Sequence, residues 1–190
     1  MGRIVAQEFV SLDGVMEAPD KWQLPNGLFD EAGMGPYVGE AFTKAEALLL
    51  GRRTYQEFAG FWPQQPDSDP FAKILNSLTK YVVTKTLRDL EWKNSKRIDG
   101  DLVTEVTKLK QRTGGDILII GSAQLVSGLT SERLIDEYQL IVHPIVVGRG
   151  KHLFGQGIDP TLFALIDTKT FSTGVTALRL KPKGPAQVTL

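Results

Sequence analysis

Three short stretches carry residue types suited to holding a phosphate. Gly51-Arg52-Arg53-Thr54, Thr84-Lys85-Thr86 and Gly121-Ser122-Ala123-Gln124-Leu125 each follow an apolar run with glycine, hydroxyl or cationic residues. In the third, the apolar and mostly β-branched run Ile117 to Ile120 stops at Gly121, and Leu125, Val126 and Leu129 then follow at helical spacing. Ser122 occupies the position of an N-cap. Strand, glycine and helix in that order set bare backbone and free N–H groups at the positive end of a helix dipole, which suits a phosphate or pyrophosphate. An ordinary strand-to-helix connection has the same pattern.

Gly51 opens a second such unit. Thr54 and Glu57 have the spacing of a capping box, which predicts a helix starting just after the two arginines. Two arginines at a helix N-terminus oppose the dipole by a few tenths of a kcal/mol to ~1 kcal/mol, and a bound anion would reverse that sign. Solvated arginines with no ligand are the alternative. No Gly-x-Gly-x-x-Gly follows a strand, and Gly150-Lys151 lacks the upstream glycine of a P-loop.

The remaining candidates surround a pocket for a flat molecule. Ser11-Leu12-Asp13-Gly14 ends the first apolar run, so Asp13 is either a turn-former or a carboxylate facing a pocket. Trp22 and Phe29 are either core plugs or an apolar wall on which a heterocycle stacks. Ser122 with His143 is a further pairing to consider, as a hydrolase nucleophile and base, although no Gly-x-Ser-x-Gly elbow is present. On its apolar strand His143 reads as a hydrogen-bonded structural residue.

Composition bounds these readings. The 190 residues contain 22 Lys+Arg and 22 Asp+Glu, so no overall basic field gathers nucleic acid or an anionic membrane. The absence of cysteine removes disulfides, thiolate metal sites and a cysteine nucleophile. Two histidines make a zinc site improbable, and no metal is expected. Neither a signal peptide nor an apolar run of ~18–20 residues is evident, so a cytoplasmic location is expected.

These groups must be positioned by alternating strands and helices. Strands are expected at Arg3–Ser11, Ala45–Leu50, Lys80–Thr84, Ile117–Ile120 and along the run Leu140–Val147, where Pro144 demands an edge or a bulge. Helical spacing runs from Tyr37 to Ala45, with none expected before Pro36, from Phe71 to Leu78, and after Asp101 through Leu102, Val106 and Leu109. Leu162–Phe171 and Val175–Lys181 form a closing hairpin around Ser172-Thr173-Gly174. The expected architecture is one three-layer α/β/α domain over residues 1–182, a mostly parallel mixed sheet with a C-terminal antiparallel hairpin, and a loose tail over 183–190.

The chain resembles the dihydrofolate reductase superfamily, and more closely the branch of the RibD C-terminal domain of riboflavin biosynthesis. The likeness runs from Arg3 to about Lys181. It rests on Ser11-Leu12-Asp13-Gly14, Leu50-Gly51-Arg52-Arg53-Thr54, Val82-Val83-Thr84, Ile119 to Val126, and Val142 to Phe154.

The resemblance implies a reductase that binds NADPH along the strand ends and a small heterocyclic substrate of the pyrimidine or pterin type. Arg52 or Arg53 would lie near the 2′-phosphate, Thr54 at the pyrophosphate, Thr84 and Lys85 beside the adenine ribose, and Gly121 to Leu125 around the pyrophosphate. Ser11, Asp13, Trp22 and Phe29 would face the substrate. Asp13, Asp30 and Glu31 are the candidates for a proton-donating carboxylate. Where dihydrofolate reductases carry two glycines, often joined by a cis peptide, this chain has Gly121-Ser122, and a cis bond is expected there. A non-catalytic nucleotide-binding protein on the same fold is the alternative. The long strand around Pro144 and the closing hairpin suggest a homodimer.

Overall fold

The computed structural model describes residues 1–155 and 157–188. Eight strands form one sheet: β1 (Arg3–Ser11), β2 (Ala45–Gly51), β3 (Thr79–Val83), β4 (Ser95–Ile98), β5 (Asp116–Ile120), β6 (Glu137–His143), β7 (Thr161–Thr170) and β8 (Thr176–Pro185). Their spatial order is β4-β3-β2-β5-β1-β6-β8-β7. The first six of these are mutually parallel, and β8 joins them antiparallel to both β6 and β7.

The central strands are apolar throughout because both faces are covered. Leu48, Leu49 and Leu50 of β2 are each wholly buried, as are Ile117 and Ile119 of β5. On one face, Ile4, Ala6, Leu49, Ile117 and Ile119 pack beneath α5 (Leu102–Arg112) and α6 (Ala123–Ser131). On the other, Val5, Leu48, Leu50, Leu118 and Ile141 meet the buried residues of α2 (Glu31–Lys44), α3 (Arg52–Phe61) and α4 (Pro70–Ser77). A short α1 (Asp20–Gln23) lies between β1 and α2. The expected three-layer α/β/α architecture is the one found.

Several elements depart from expectation. α2 begins at Glu31 and carries Pro36 inside it, because the Asp30 side chain accepts the Gly33 amide and caps the helix there. An exposed proline in its second turn removes one backbone bond without unseating the rest. β6 stops at His143, before Pro144, and pairs on both sides with β1 and β8, so the strand is neither an edge nor bulged at the proline. The edges are β7 and the four-residue β4. β8 continues through Lys183 to Pro185, paired with Thr161, where a loose tail is expected. Thr189 and Leu190 of that tail lie outside the described residues. No helix among the described residues is long and apolar enough to cross a membrane.

Candidate functional site

Because β1 to β6 are parallel, their carboxyl ends share one rim of the sheet. From β2 the chain passes through α3 and α4 to β3 on one side, whereas from β5 it passes through α6 to β6 on the other. The direction of winding therefore changes at the β2–β5 pair, with α3 on one face and α6 on the other, the kind of switch point at which open α/β sheets bind ligands.

Among the helices of eight residues or more, the starts of α3 and α6 differ from the rest. α2, α4 and α5 are capped by the carboxylates of Asp30, Asp69 and Asp101. α3 starts at Gly51 and α6 at Ser122, neither with a side-chain cap. The capping box expected at Thr54 and Glu57 is not formed: Gly51 enters the helix directly from the extended strand, and Arg52 and Arg53 are its first two residues. The Thr54 hydroxyl serves elsewhere. Ser122 Oγ accepts the Gly51 amide at 2.9 Å and donates to Thr54 Oγ1 at 2.9 Å, tying the two turns together.

This contact explains both glycines. A Cβ on Gly51 would stand 3.1 Å from Ser122 Oγ, and one on Gly121 3.3 Å from the Thr54 side chain. Gly121 and Ser122 both have left-handed φ, 65° and 64°. No cis peptide is found among the described residues, so the bond expected to be cis at Gly121–Ser122 is trans. The sharp turn is made by two consecutive left-handed residues instead, at a cost of roughly 1–2 kcal/mol for the serine. Ala123 and Gln124 supply the first amides of α6, and Leu125 folds back on the Ser122 carbonyl and buries its side chain.

Beneath the turn lies Glu8, which does not figure among the sequence candidates. The Gly121 amide donates to its Oε2 at 2.8 Å, while Oε1 is buried with no partner. Burial pushes the Glu8 carboxyl well above the ordinary range, against the lowering effect of the Gly121 bond. The signal available in sequence is an acid at the alternating position between Ile4, Ala6 and Val10, an otherwise apolar face of β1.

The cationic and hydroxyl candidates divide. Arg52 and Arg53 are both exposed; among the described residues Arg52 reaches Gln56, and Glu17 is held low first by its bond to Lys151 and last by the charge of Arg53. Lys85 is exposed on the rim after β3. Thr84, in contrast, is buried, and its hydroxyl accepts the amides of Thr86 and Leu87, so it shapes the turn and presents no hydroxyl outward.

At the β1 end, Ser11 Oγ donates to Asp13 Oδ1 at 2.6 Å and accepts the Val15 amide. Asp13 also takes the amides of Val147 and Gly148 at 3.1 and 2.7 Å. The Ser11 hydroxyl first, then these two amides, bring its carboxyl down to about 2, so it is ionised at neutral pH and is no proton donor. Asp30 is likewise engaged, by the Gly33 amide and by Ser172 Oγ. Glu31 is the exposed first residue of α2.

The aromatic candidates form one cluster. Trp22 packs edge-to-face on His143 with centroids 5.1 Å apart and donates its indole N–H to the Glu17 carbonyl. Phe9 contacts both His143 and Phe29. Trp22 is buried, so the half-buried rings of Phe29 and Phe9 form the accessible part of this wall. His143 is wholly buried, its Nδ1 bonded to the Ile141 carbonyl and its pKa lowered chiefly by burial. Ser122 is held by Gly51 and Thr54, so no nucleophile–base pair exists between it and His143.

A cavity of about 200 Å³ lies away from this rim, at the amino ends of the strands, and includes Arg3, Tyr37, Glu137 and Arg179 in its lining. Four of its charges satisfy one another: Glu137 is gripped by Arg179 at 2.9 Å and by Arg3 at 3.4 Å, and Arg3 meets Asp116 at 2.7 Å. It offers a ligand no unpaired charge among these groups.

Residues 3–177 match the family of the RibD C-terminal domain. The chain belongs to that family. Among its relatives is the uncharacterized protein YyaP of Bacillus subtilis, 31% identical over 178 residues that make up 91% of each chain. Among solved structures, a putative riboflavin biosynthesis protein from Shewanella sp. PV-4 superposes with a TM-score of 0.73 at 19% identity, over 95% of this chain and 99% of that one. Dihydrofolate reductase from Enterococcus faecalis, complexed with NADP(H), superposes at 0.63 and 18% identity, over 96% and 97%. The RibD C-terminal chain thus has the dihydrofolate reductase fold.

Proposed function

We propose that this protein is an NADPH-dependent reductase that passes hydride to a small planar heterocycle of the pyrimidine or pterin type. The reading is carried by the uncapped N-termini of α3 and α6, which meet at the β2–β5 switch point through Ser122. Two positive helix ends at one point suit the paired phosphates of a dinucleotide. Family membership and the NADP(H)-bound dihydrofolate reductase neighbour support the same cofactor.

The fit extends to the charges. Arg52 and Arg53 sit unfavourably at a helix N-terminus until an anion neutralises them, which favours the 2′-phosphate of NADPH over the free hydroxyl of NADH. When bound, the cofactor supplies the hydride. The chain's part is to hold and orient: the first amides of α6 and the Gly121–Ser122 turn for the pyrophosphate, Lys85 for the ribose side, and Phe9 and Phe29 for the flat ring. With Asp13 ionised and Asp30 occupied as a cap, the proton that completes reduction comes from water.

That engagement of both carboxylates also favours a second reading, a nucleotide-binding protein without turnover. A thermal-shift titration with NADPH and NADH tests the first step: a melting temperature that climbs with NADPH concentration, and less with NADH, is expected. Loss of the reduced nicotinamide absorbance in the presence of pterins or aminopyrimidines then separates enzyme from binder.

The same reading takes a second copy of the chain as partner, with the protein working as a homodimer. It is supported by the edge strand β7, where Leu162, Leu165 and Ile166 are about half exposed.

A further inference from the structure

Among the described residues few buried polar side-chain atoms lack a hydrogen-bond partner, and the one carboxyl oxygen among them is Glu8 Oε1. Glu8 is 2% exposed on β1 and lies directly under the turn from which α6 departs. The apolar groups packed on that face include Ala6, Val10, Ile119, Leu140, Leu125 and Val126, together with the titratable Tyr138 opposite Ala6, whose hydroxyl is engaged with Thr130. Among the described residues no ion pair reaches the carboxyl, and Arg52 and Arg53 stand exposed at the start of α3, which packs on the other face through Tyr55. An acid here costs stability that an apolar residue would not.

Resting on the dinucleotide reading above, we infer that Glu8 is a positioning residue of the cofactor site: through the Gly121 amide it sets the left-handed Gly121–Ser122 turn that orients Ser122 and the first amides of α6 toward the phosphates.

The argument is geometric. Gly121 and Ser122 both occupy left-handed conformations, which a serine does not hold unaided. The turn is pinned from two directions, by the Ser122 hydroxyl on Gly51 and Thr54 above and by Glu8 on the Gly121 amide below. The protonation state follows from the same placement. A neutral carboxyl accepts from Gly121 and leaves an O–H on the unpartnered oxygen, adding no charge beside a polyanion. Ionised, it would set a buried negative charge beside the phosphates, repelling them with little screening. Cofactor affinity is therefore expected to fall as pH rises through the Glu8 titration.

The experiment measures NADPH dissociation constants for the full chain and for Glu8→Gln and Glu8→Leu from about pH 6 to about pH 9, the range in which buried carboxyls are known to titrate. Melting curves run alongside. Glu8→Gln keeps an acceptor for Gly121 and cannot ionise, so its affinity at the acid end of the range stays close to that of the parent and the decline with rising pH disappears. Glu8→Leu leaves the Gly121 amide unpaired and binds roughly tenfold more weakly while still folded. If Glu8→Leu binds as tightly as the parent, or if Glu8→Gln declines with pH as the parent does, the inference fails. Should Glu8→Leu not fold, the pH profile of Glu8→Gln decides alone. A parent protein that binds neither NADPH nor NADH would overturn the dinucleotide reading and this inference together, whereas binding by the parent with unaltered variants overturns only the role of Glu8.

Discussion

Ser122 Oγ takes the Gly51 amide at 2.9 Å, so the turn after β5 and the turn after β2, remote in sequence, are closed on each other by one hydroxyl. The hydroxyl does so from a residue with φ of 64°. Replacing the serine separates the two effects. Ser122→Ala loses the bonds to Gly51 and Thr54 but keeps the left-handed strain; Ser122→Gly loses the bonds and relieves the strain. The glycine variant is therefore expected to be the more stable of the two by about 1 kcal/mol, read from urea unfolding.

Arg52 offers a prediction with opposite signs for stability and binding. Removing a positive charge from the first residue of α3 by Arg52→Glu raises the stability of the ligand-free protein by a few tenths of a kcal/mol to ~1 kcal/mol. The same change weakens NADPH binding more than NADH binding, with the ratio of the two dissociation constants as the readout. A variant that discriminates between them as the parent does would show that Arg52 lies away from the 2′-phosphate.

Glu8 governs stability through pH. Its carboxyl is raised in the folded protein above the ~4.3 of an unfolded chain. The folded state therefore binds more protons than the unfolded state between those two values, and stability declines as pH rises across that interval. Glu8→Gln removes this decline, so its melting temperature exceeds the parent's increasingly toward alkaline pH and converges with it in acid.

Asp13 acts in the opposite sense. Held at about 2 by Ser11 and by the amides of Val147 and Gly148, it contributes stability that is fully present above its unfolded value of ~3.9. That contribution is lost as pH falls toward the folded value. Asp13→Asn is expected to flatten the acid limb of the stability profile below about pH 4, measured by circular dichroism melts.

For the homodimer, light scattering after gel filtration should give about twice the 20.9 kDa of one chain. Ile166→Lys on the exposed β7 should shift the protein to the monomer. A monomeric parent would remove the second copy from the reading and leave the cofactor site unaffected.

The alternation of strand and helix is legible in the chain because strands buried on both faces, such as Leu48 to Leu50 and Ile117 to Ile119, must be unbroken apolar runs. β4 is not, since Ser95 to Ile98 is short, polar and at an edge, where no apolar pattern is demanded. The start of α2 is obscured by Gly33, Gly35 and Pro36, although Asp30 is a sound cap. In the site, residue types marked the two phosphate-like turns correctly as strand–glycine–helix junctions. The partner of a hydroxyl is a tertiary fact: Thr84 looks available in sequence and is spent on its own turn, while Thr54 looks like a cap and bonds Ser122 instead. Glu8 stays hidden for the converse reason, since only the packed sheet shows that one of its oxygens is buried without a partner.

Asp13 does more than titrate. One carboxylate fastens the loop that leaves β1 to the loop that leaves β6, and the Val15–His152 bridge and the close fit of Gly150 on Val15 stitch the same pair further along. Neither loop can open without breaking bonds that belong to the other. This part of the rim is a single cooperative unit, and its local unfolding is an all-or-none event in which both loops exchange their backbone protons together.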